Sequence, residues 1–214
     1  MANTIIVTII SFLLVLVHSS FQPETRPQNL FDGKTFRGWQ GDTVDTWRIE
    51  NGALAGGSLK ETVRHNNFLS TTRSYNNFDL QLQFKLAGTG FVNAGVQFRS
   101  QRLTNPPYEM SGYQADLGEG YWASLYDESR RNVTLARPDS LIIKKALRPN
   151  RWNDYRICCK GNRIQIWLNG TPTVDYTEPD EKIVQLGLIA LQIHGGGKAE
   201  AFYKNIRITV LPDK

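Results

Sequence analysis

The feature that most constrains the fold is a strict alternation of apolar and polar residues over positions 78–86. In this run, FDLQLQFKL, every second side chain is apolar: Phe78, Leu80, Leu82, Phe84 and Leu86. Successive side chains of a β-strand point to opposite faces of its sheet, so a period of two predicts a strand with one buried face.

Shorter runs of the same type fill most of the remaining chain. Strand candidates lie at residues 152–160, 163–168, 187–194 and 201–211, and a short strand is predicted at residues 141–145. Asp-Gly and Asn-Gly dipeptides at 32–33, 51–52 and 169–170 favour hairpin turns. Nowhere do apolar residues recur at helical spacing over three turns. The pattern predicts an all-β protein, a two-sheet jelly-roll sandwich that forms a single domain over residues 21–214.

The N-terminal segment has a different composition. Residues 5–17 are apolar and uncharged and are followed by His18-Ser19-Ser20, which is typical of a secretory signal peptide. The apolar run is shorter than the roughly 20 residues that a membrane span needs. An uncleaved anchor is the alternative, because no positive charge precedes the run. We predict a signal peptide over residues 1–20, a periplasmic or extracellular (secreted) protein, and no stable membrane insertion once the signal is removed.

Charge and cysteine usage exclude several other classes. The net charge of +5 is spread along the chain without a basic helix or zinc-knuckle spacing, so we predict no nucleic-acid partner. The two cysteines, Cys158 and Cys159, are adjacent and would point to opposite faces of a strand. A disulfide between them is therefore not expected, and one of them is predicted to lie in the core.

Alternation also brings out three pairs of polar residues. If the apolar residues of each strand face the core, then Gln97 with Arg99, Gln114 with Asp116, and Gln192 with His194 face away from it. Strands that share a sheet would join these six side chains into one polar patch. The alternative is that each pair only forms the solvated face of its strand.

The stretch with the densest polar chemistry is residues 93–131. It contains two of these pairs and ends in LYDESRR, so arginine, carboxylate, tyrosine and glutamine side chains are concentrated between strand-like segments. We interpret this stretch as the floor and rim of a carbohydrate site. Asp127 and Glu128 beside Arg130 and Arg131 are also compatible with a salt-bridged loop.

Several short motifs, taken in order, resemble one known family. FDGKTFRGW, NAGVQFRS, GYQAD, LYDESRR, RWNDYRI, WLNG, GLIALQIHGG and YKNIRI follow the order found in the 3-keto-disaccharide hydrolase domain family, over residues 30–211. The resemblance implies a concanavalin/laminin-G-like jelly roll exported by bacteria that degrade glycans. It also implies cleavage of glycosides that are already oxidised to a ketone at sugar C3.

The chemistry implied by the resemblance needs three kinds of group. A C3 ketone acidifies the C2 hydrogen, so a base removes it, the C1 substituent leaves by elimination, and water adds afterwards. The site therefore needs a base, a donor for the enolate oxygen and an acid for the leaving oxygen. An oligosaccharide or glycoside is the expected partner.

Residues of these types are assigned as follows. His194 and Asp116 are the candidate bases, and Glu128 is the candidate acid. Arg99 and Arg131 are predicted to steady the enolate, and the other predicted substrate-binding residues are Gln97, Gln114, Gln192, Tyr126 and Trp122. Trp122 is preferred to Tyr113 for stacking on a sugar ring, because alternation points Tyr113 inward.

Two questions stay open at the sequence level. His194, Asp116 and Glu128 are chemically reasonable ligands for a divalent metal ion, so metal dependence is undecided and no other cofactor is predicted. A non-catalytic carbohydrate-binding module on the same jelly roll is the alternative to an enzyme, because a fold does not fix a function.

Overall fold

The computed structural model of the protein describes residues 26–212, and over this range the chain forms two antiparallel β-sheets packed face to face. The predicted two-sheet jelly roll is therefore confirmed. The segment predicted to be a signal peptide lies outside the described residues, so that expectation stays a prediction.

Fifteen strands and one helix occupy the described range. The strands are β1 Gln28–Asn29, β2 Trp39–Gln40, β3 Trp47–Glu50, β4 Ala53–Gly57, β5 Asn67–Tyr75, β6 Phe78–Gly90, β7 Asn93–Arg102, β8 Met110–Gly118, β9 Leu125–Glu128, β10 Val133–Ala136, β11 Asn153–Lys160, β12 Arg163–Leu168, β13 Thr171–Thr177, β14 Gly187–Ile193 and β15 Gly197–Val210. The helix, α1, spans Ser140–Ala146.

The strands divide between two sheets. The order in the first, called sheet A, is β13-β12-β11-β6-β15-β4-β3, and β1 also pairs with β15. The order in the second, called sheet B, is β10-β9-β8-β7-β14-β5-β2. The stretch with the densest polar chemistry forms β7, β8 and β9, which are adjacent in sheet B. The late strand β14 pairs with β7 on its other side, which brings the three predicted polar pairs onto neighbouring strands.

The core lies between the inner faces of the two sheets. The apolar positions of β6 are all buried, as the period of two predicts. Val96 and Phe98 on β7, and Leu191 and Ile193 on β14, face them from sheet B and are fully buried. Burial of apolar area stabilises the sandwich by about 25 cal/mol per Å², so the inner face fixes which residues remain for the outer face.

The segment predicted to be a strand at residues 141–145 is instead the short helix α1, so that prediction is wrong. Asp139 accepts a hydrogen bond from the backbone N–H of Leu141 (2.7 Å) and caps the helix N-terminus. Lys144 and Lys145 occupy the last turn, where positive charge is favourable. Within residues 26–212, no helix combines the length and apolar character that crossing a bilayer requires.

The adjacent cysteines follow the expected alternation. Cys159 is fully buried in the core, whereas Cys158 is half-buried on the opposite face of β11. Both are free thiols, so the interpretation of one core cysteine and no mutual disulfide is confirmed.

Candidate functional site

Strand register places the polar residues of sheet B in two parallel rows on its outer face. The first row crosses four strands through Phe68, Gln192, Gly95 and Asp116. The second row crosses from Ala190 through Gln97 and Gln114 to Tyr126 on β9. Four of the six predicted side chains are therefore neighbours in space: Gln97, Gln114, Asp116 and Gln192.

Two core tyrosines of sheet A hold the first row in place from behind. The Tyr203 hydroxyl reaches the backbone carbonyls of Gln192 (2.8 Å) and Gly95 (3.1 Å), and the Tyr155 hydroxyl donates to the carbonyl of Asp116 (3.3 Å). All of these groups are buried. The packing of the two sheets thus fixes the backbone beneath the outer-face site.

Two carboxylates share one amide group on this face. The Gln114 Nε2 donates to Asp116 Oδ1 (3.0 Å) and lies 3.4 Å from Glu128 Oε2. The Gln192 Nε2 is also 3.4 Å from Glu128 Oε2. Both carboxylates therefore lie around the same glutamine nitrogen, although they come from different strands.

The environment makes both carboxylates weak acids. Burial, followed by the charge of Glu128, raises the pKa of Asp116 from 3.8 to about 7, against the opposing effect of the Gln114 hydrogen bond. Burial, followed by the charge of Glu109, raises the pKa of Glu128 from 4.5 to about 7. Near neutral pH the pair can hold one proton and one negative charge, which suits it to acid–base chemistry.

His194 stands beside these carboxylates at the end of β14. Its backbone N–H donates to the Asn93 carbonyl (3.0 Å), and its ring contacts Phe91 edge-on with centroids 4.8 Å apart. The ring Nδ1 lies 2.7 Å from the Gly195 carbonyl. A carbonyl oxygen can only accept, so Nδ1 carries the hydrogen and Nε2 is the basic nitrogen.

A glycine at position 95 makes room for the shared amide. A Cβ atom at Gly95 would lie 2.6 Å from the side-chain carbonyl carbon of Gln114. The Gln114 side chain therefore lies directly over the backbone of β7, where any larger residue would displace it.

Three glutamine side chains of this face are left with unpartnered polar atoms. Within residues 26–212, both amide atoms of Gln97 and the Oε1 atoms of Gln114 and Gln192 are buried without a hydrogen-bond partner. Buried polar groups are nearly always paired, so these atoms indicate a place where a ligand or solvent molecule completes the structure. Neither Gln97 nor Gln192 lines the open groove, so their predicted contact with substrate is not direct.

The open groove at this site has a volume of about 140 Å³. It is lined by Phe91, Asn93, Gln114, Asp116, Tyr121, Tyr126, Glu128 and His194. The three predicted catalytic residues thus converge in one groove, together with Gln114 and Tyr126. Three lining residues, Phe91, Asn93 and Tyr121, had not been predicted. Alternation could have found Asn93, which shares a strand face with Gln97, but Phe91 and Tyr121 lie in loops without a period.

Arg99 does not reach the groove, contrary to prediction. The register of β7 and β8 shifts between Phe98 and Gln101, which marks a β-bulge, and Arg99 has a positive φ of 49°. Its buried guanidinium binds the Asn76 carbonyl (2.8 Å) and the Gln185 side chain instead. The bulge breaks the alternation on which the prediction rested.

Arg131 is also outside the groove, so its predicted role in binding substrate is wrong. It makes a bidentate ion pair with Glu178 (3.0 and 2.7 Å) and a second ion pair with Asp127. Asp127 points to the inner side of β9, opposite to Glu128. The alternative interpretation, a salt-bridged loop, is therefore correct for Asp127 and Arg131, whereas Glu128 faces the groove.

Trp122 does not form a stacking surface in the groove, although it was predicted to do so. Its half-buried ring packs against the core residue Phe84, with centroids 6.2 Å apart. The exposed aromatic rings at the groove are the neighbouring Tyr121 and Phe91. Tyr113 is fully buried and its hydroxyl donates to Glu178 (2.7 Å), as its inward direction predicts.

Comparison with known families decides the ancestry of the chain. The profile of the 3-keto-alpha-glucoside-1,2-lyase-like domain matches residues 26–209, which include every strand of both sheets except the last residue of β15. The chain belongs to this family. The resemblance drawn from the motifs is thereby confirmed. No functionally curated protein matches the chain.

Solved structures show that this lyase-like domain has a widespread carbohydrate-related fold. A candidate glycosyl hydrolase from Parabacteroides distasonis is 21% identical with a TM-score of 0.65, over 87% of this chain and 94% of that chain. The carbohydrate-binding module CBM66 from Bacillus subtilis is 15% identical with a TM-score of 0.62, over 80% and 95%. The kappa-carrageenase from Pseudoalteromonas carrageenovora, in complex with an oligotetrasaccharide, is 11% identical with a TM-score of 0.52, over 87% and 93%. At these identities the similarity establishes the fold alone.

The described residues of this lyase-like domain do not form a set of metal ligands. Within the described range 26–212, no group of three or more His, Cys, Asp or Glu side chains is arranged to hold a metal ion. His194, Asp116 and Glu128 line one groove, but the carboxylates are occupied by glutamine and asparagine amides. The residues present fit acid–base roles better than a coordination shell.

Proposed function

We propose that the protein cleaves 3-keto glycosides by elimination across C1 and C2, followed by hydration. One observation carries the proposal: Asp116 and Glu128 lie in the same groove, share the Gln114 amide, and both have a pKa raised to about 7. Membership of the lyase-like family supports the same reaction.

The reaction balances with water as the only co-reactant. A base takes the proton from C2, and the electron pair moves onto the C3 oxygen as an enolate. When the enolate collapses, the C3 ketone re-forms, a C1=C2 double bond appears, and the C1–O bond breaks as the leaving oxygen takes a proton. Water then adds across the double bond, with its oxygen on C1 and a proton on C2.

Different groove residues supply the base, the acid and the group that orients water. Asp116, ionised at the floor, takes the C2 proton, and Glu128, protonated on the wall, gives a proton to the leaving oxygen. The basic Nε2 of His194 orients the water that adds afterwards. General acid–base catalysis of this type contributes roughly 10²–10⁴-fold to a rate.

With Arg99 and Arg131 outside the groove, the enolate needs another donor. Tyr126 lines the groove, and its side chain is half-buried on the same face of β9 as Glu128. Burial, and then the charges of Glu128 and Asp116, raise the pKa of Tyr126, so the hydroxyl keeps its proton and can donate it. We assign it to the C3 oxygen, where charge develops.

The decisive experiment is incubation with a 3-keto-α-glucoside such as 3-keto-trehalose, followed by quantification of the released sugar. Substrate carrying deuterium at C2 should react more slowly if the C2 proton is removed in the rate-limiting step. Asp116→Asn and Glu128→Gln should each lower kcat/KM by about a hundredfold or more. Glu119→Gln removes an exposed carboxylate from the turn that follows β8 and serves as the matched control. No release of sugar by the natural protein, with or without added divalent metal, would refute the proposal.

A carbohydrate-binding module without catalytic activity is the second candidate. The rings of Phe91 (45% exposed) and Tyr121 (36% exposed) at the groove mouth favour sugar binding, and CBM66 shares the fold. Binding of an unoxidised polysaccharide, combined with no turnover of any keto sugar, would favour this candidate over the enzyme.

The N-terminal segment bears on the cellular location of the protein. We propose export to the periplasm or the exterior, motivated by the apolar run at residues 5–17. Sequencing of the mature N-terminus after expression in a bacterial host tests this, since retention of Met1 would contradict cleavage.

A further inference from the structure

A second cavity lies on the same side of sheet B as the groove. It has a volume of about 320 Å³ and is lined by Gly41, Asp42, His65, Asn67, Phe68, Arg102, Pro107 and Tyr108. The groove itself measures about 140 Å³. Ligand pockets usually have volumes of roughly 300–1,000 Å³, so the groove suits one sugar ring and the remainder of a larger substrate must lie outside it.

Strand register gives the direction and distance between the two sites. Phe68 at the second cavity and Asp116 at the groove are the ends of the row that crosses β5, β14, β7 and β8. Adjacent strands are about 4.8 Å apart, so the two backbones are about 14 Å apart. Because side chains from both ends fill part of this distance, a ligand of two rings can extend from one site to the other.

Asn66 joins the loops that border the two sites. Its Oδ1 accepts from the backbone N–H of Gly195 (3.3 Å), next to His194, and its Nδ2 donates to Glu109 Oε2 (3.0 Å), next to Tyr108. The charge of Glu109 also contributes to the raised pKa of Glu128. Asn66 therefore connects the loop that carries Tyr108 to the residue that follows His194.

The Tyr108 ring is presented to the second cavity. The His65 ring covers one of its faces, with centroids 4.0 Å apart and an interplanar angle of 19°. The side chain nevertheless remains 40% exposed and lines the cavity. A flat ring held in this way is suited to packing against the apolar face of a sugar.

Arg102 supplies a positive charge without a counterion. Its Nη2 donates to the Phe68 carbonyl (3.4 Å) and to Ser70 Oγ (3.0 Å), both of which are neutral. Within residues 26–212 no carboxylate lies within ion-pair distance of it, and burial lowers its pKa. Asp42 borders the same cavity, but its oxygens accept from Asp45, Val44 and Thr46 of its own loop. A half-buried guanidinium with free N–H groups favours an anionic ligand.

We propose that this cavity is the leaving-group subsite, and that it takes a second sugar ring carrying a carboxylate or a sulfate. Tyr108 packs against the ring and Arg102 pairs with its anionic group. The net charge of +5 is consistent with an acidic substrate. This inference rests on the proposed function, because it assumes that a 3-keto ring occupies the groove.

The test compares four 3-keto-glucosides whose leaving groups are methanol, glucose, glucuronic acid and glucose sulfate. The natural protein should show higher kcat/KM for the two anionic leaving groups than for glucose, and the lowest value for methanol. Arg102→Gln should lower kcat/KM about tenfold for the anionic leaving groups, the factor that 1.4 kcal/mol gives, and leave the methyl glucoside unchanged. Arg102→Lys should keep part of the preference, and the relative response to carboxylate and sulfate distinguishes the two sources of charge.

Tyr108 is tested with a pair of variants. Tyr108→Ala should lower kcat/KM about tenfold for every leaving group that contains a ring, whereas Tyr108→Phe should preserve it. Arg151→Gln, at an exposed arginine next to β11, controls for the loss of one positive charge.

The outcomes separate this inference from the proposed function. If the natural protein cleaves all four substrates and the Arg102 and Tyr108 variants change them equally or not at all, the subsite is refuted and the reaction stands. If it cleaves none, the proposed function is refuted, and calorimetric binding of the unoxidised disaccharide with glucuronic acid then decides the subsite. Equal affinity of the natural protein and Arg102→Gln for that disaccharide would overturn it.

Discussion

Replacement of Asp116 by asparagine should make the protein more stable at pH 8 while lowering its kcat/KM by about a hundredfold or more. Burial raises the pKa of this carboxyl from 3.8 to about 7, and at 1.36 kcal/mol per pKa unit its ionisation in the folded state costs about 4 kcal/mol of unfolding free energy. Asparagine carries no charge and avoids this cost. Its amide has one acceptor oxygen fewer than the carboxylate, and this loss lowers the unfolding free energy by about 1–2 kcal/mol. We therefore expect a net increase in the unfolding free energy of about 2–3 kcal/mol.

The sign of the pH dependence follows from proton uptake on folding. Between pH 4 and pH 7 the folded protein holds the Asp116 proton while the unfolded chain has released it, so stability falls as the pH rises through this window. Above about pH 7 the cost is complete, and below about pH 4 it is absent. The stability gain of Asp116→Asn should therefore be present at pH 8 and disappear at pH 4.

Equilibrium urea unfolding at several pH values, followed by the fluorescence of the buried Trp39 and Trp47, measures this difference. Glu119→Gln, at an exposed carboxylate after the same strand, should give no comparable pH-dependent gain. Parallel stability curves for the natural protein and Asp116→Asn from pH 4 to pH 8 would refute the reasoning, because they would mean that the carboxyl ionises without cost.

Two further predictions test the supporting structure, and the second has a matched control substitution. Gly95→Ala places a Cβ atom 2.6 Å from the Gln114 side chain, so it should displace the shared amide and lower kcat/KM at least tenfold. The clash should also cost about 1–3 kcal/mol of unfolding free energy. Unchanged kinetics would contradict the role of the amide. Arg131→Met leaves the fully buried Glu178 carboxylate without its bidentate partner and should cost about 3 kcal/mol in urea unfolding. The corresponding Arg163→Met change breaks an ion pair with more than half of each side chain exposed, so its effect on stability should be much smaller. Equal losses in the two variants would argue against burial as the cause.

Alternation along strands predicted most of the groove floor from the sequence. Gln114, Asp116 and Gln192 face outward because their strands are regular at those positions and bury the alternate residues. The same rule, applied to β7, would also have found Asn93. A period of two is a strong indicator of side-chain direction, because a shift of the strand by one residue would expose all of its apolar side chains to solvent.

The errors occurred where the backbone departs from regular geometry. Arg99 lies within a bulge that the sequence does not predict, since arginine rarely adopts a positive φ. Trp122 lies in a loop, where no period indicates direction, and the interior position of Asp127 determines where Arg131 points. The helix α1 was missed because seven residues are too few to show a helical period, and its consecutive apolar residues match a strand equally well.

Because of its bulge, the single strand β7 both supports the groove and anchors two distant loops. Before the irregularity, Asn93 lines the groove, and within it the buried guanidinium of Arg99 ties the strand to the loops at Asn76 and Gln185. We therefore expect sequence changes in those loops to alter the position of the strand beneath the groove.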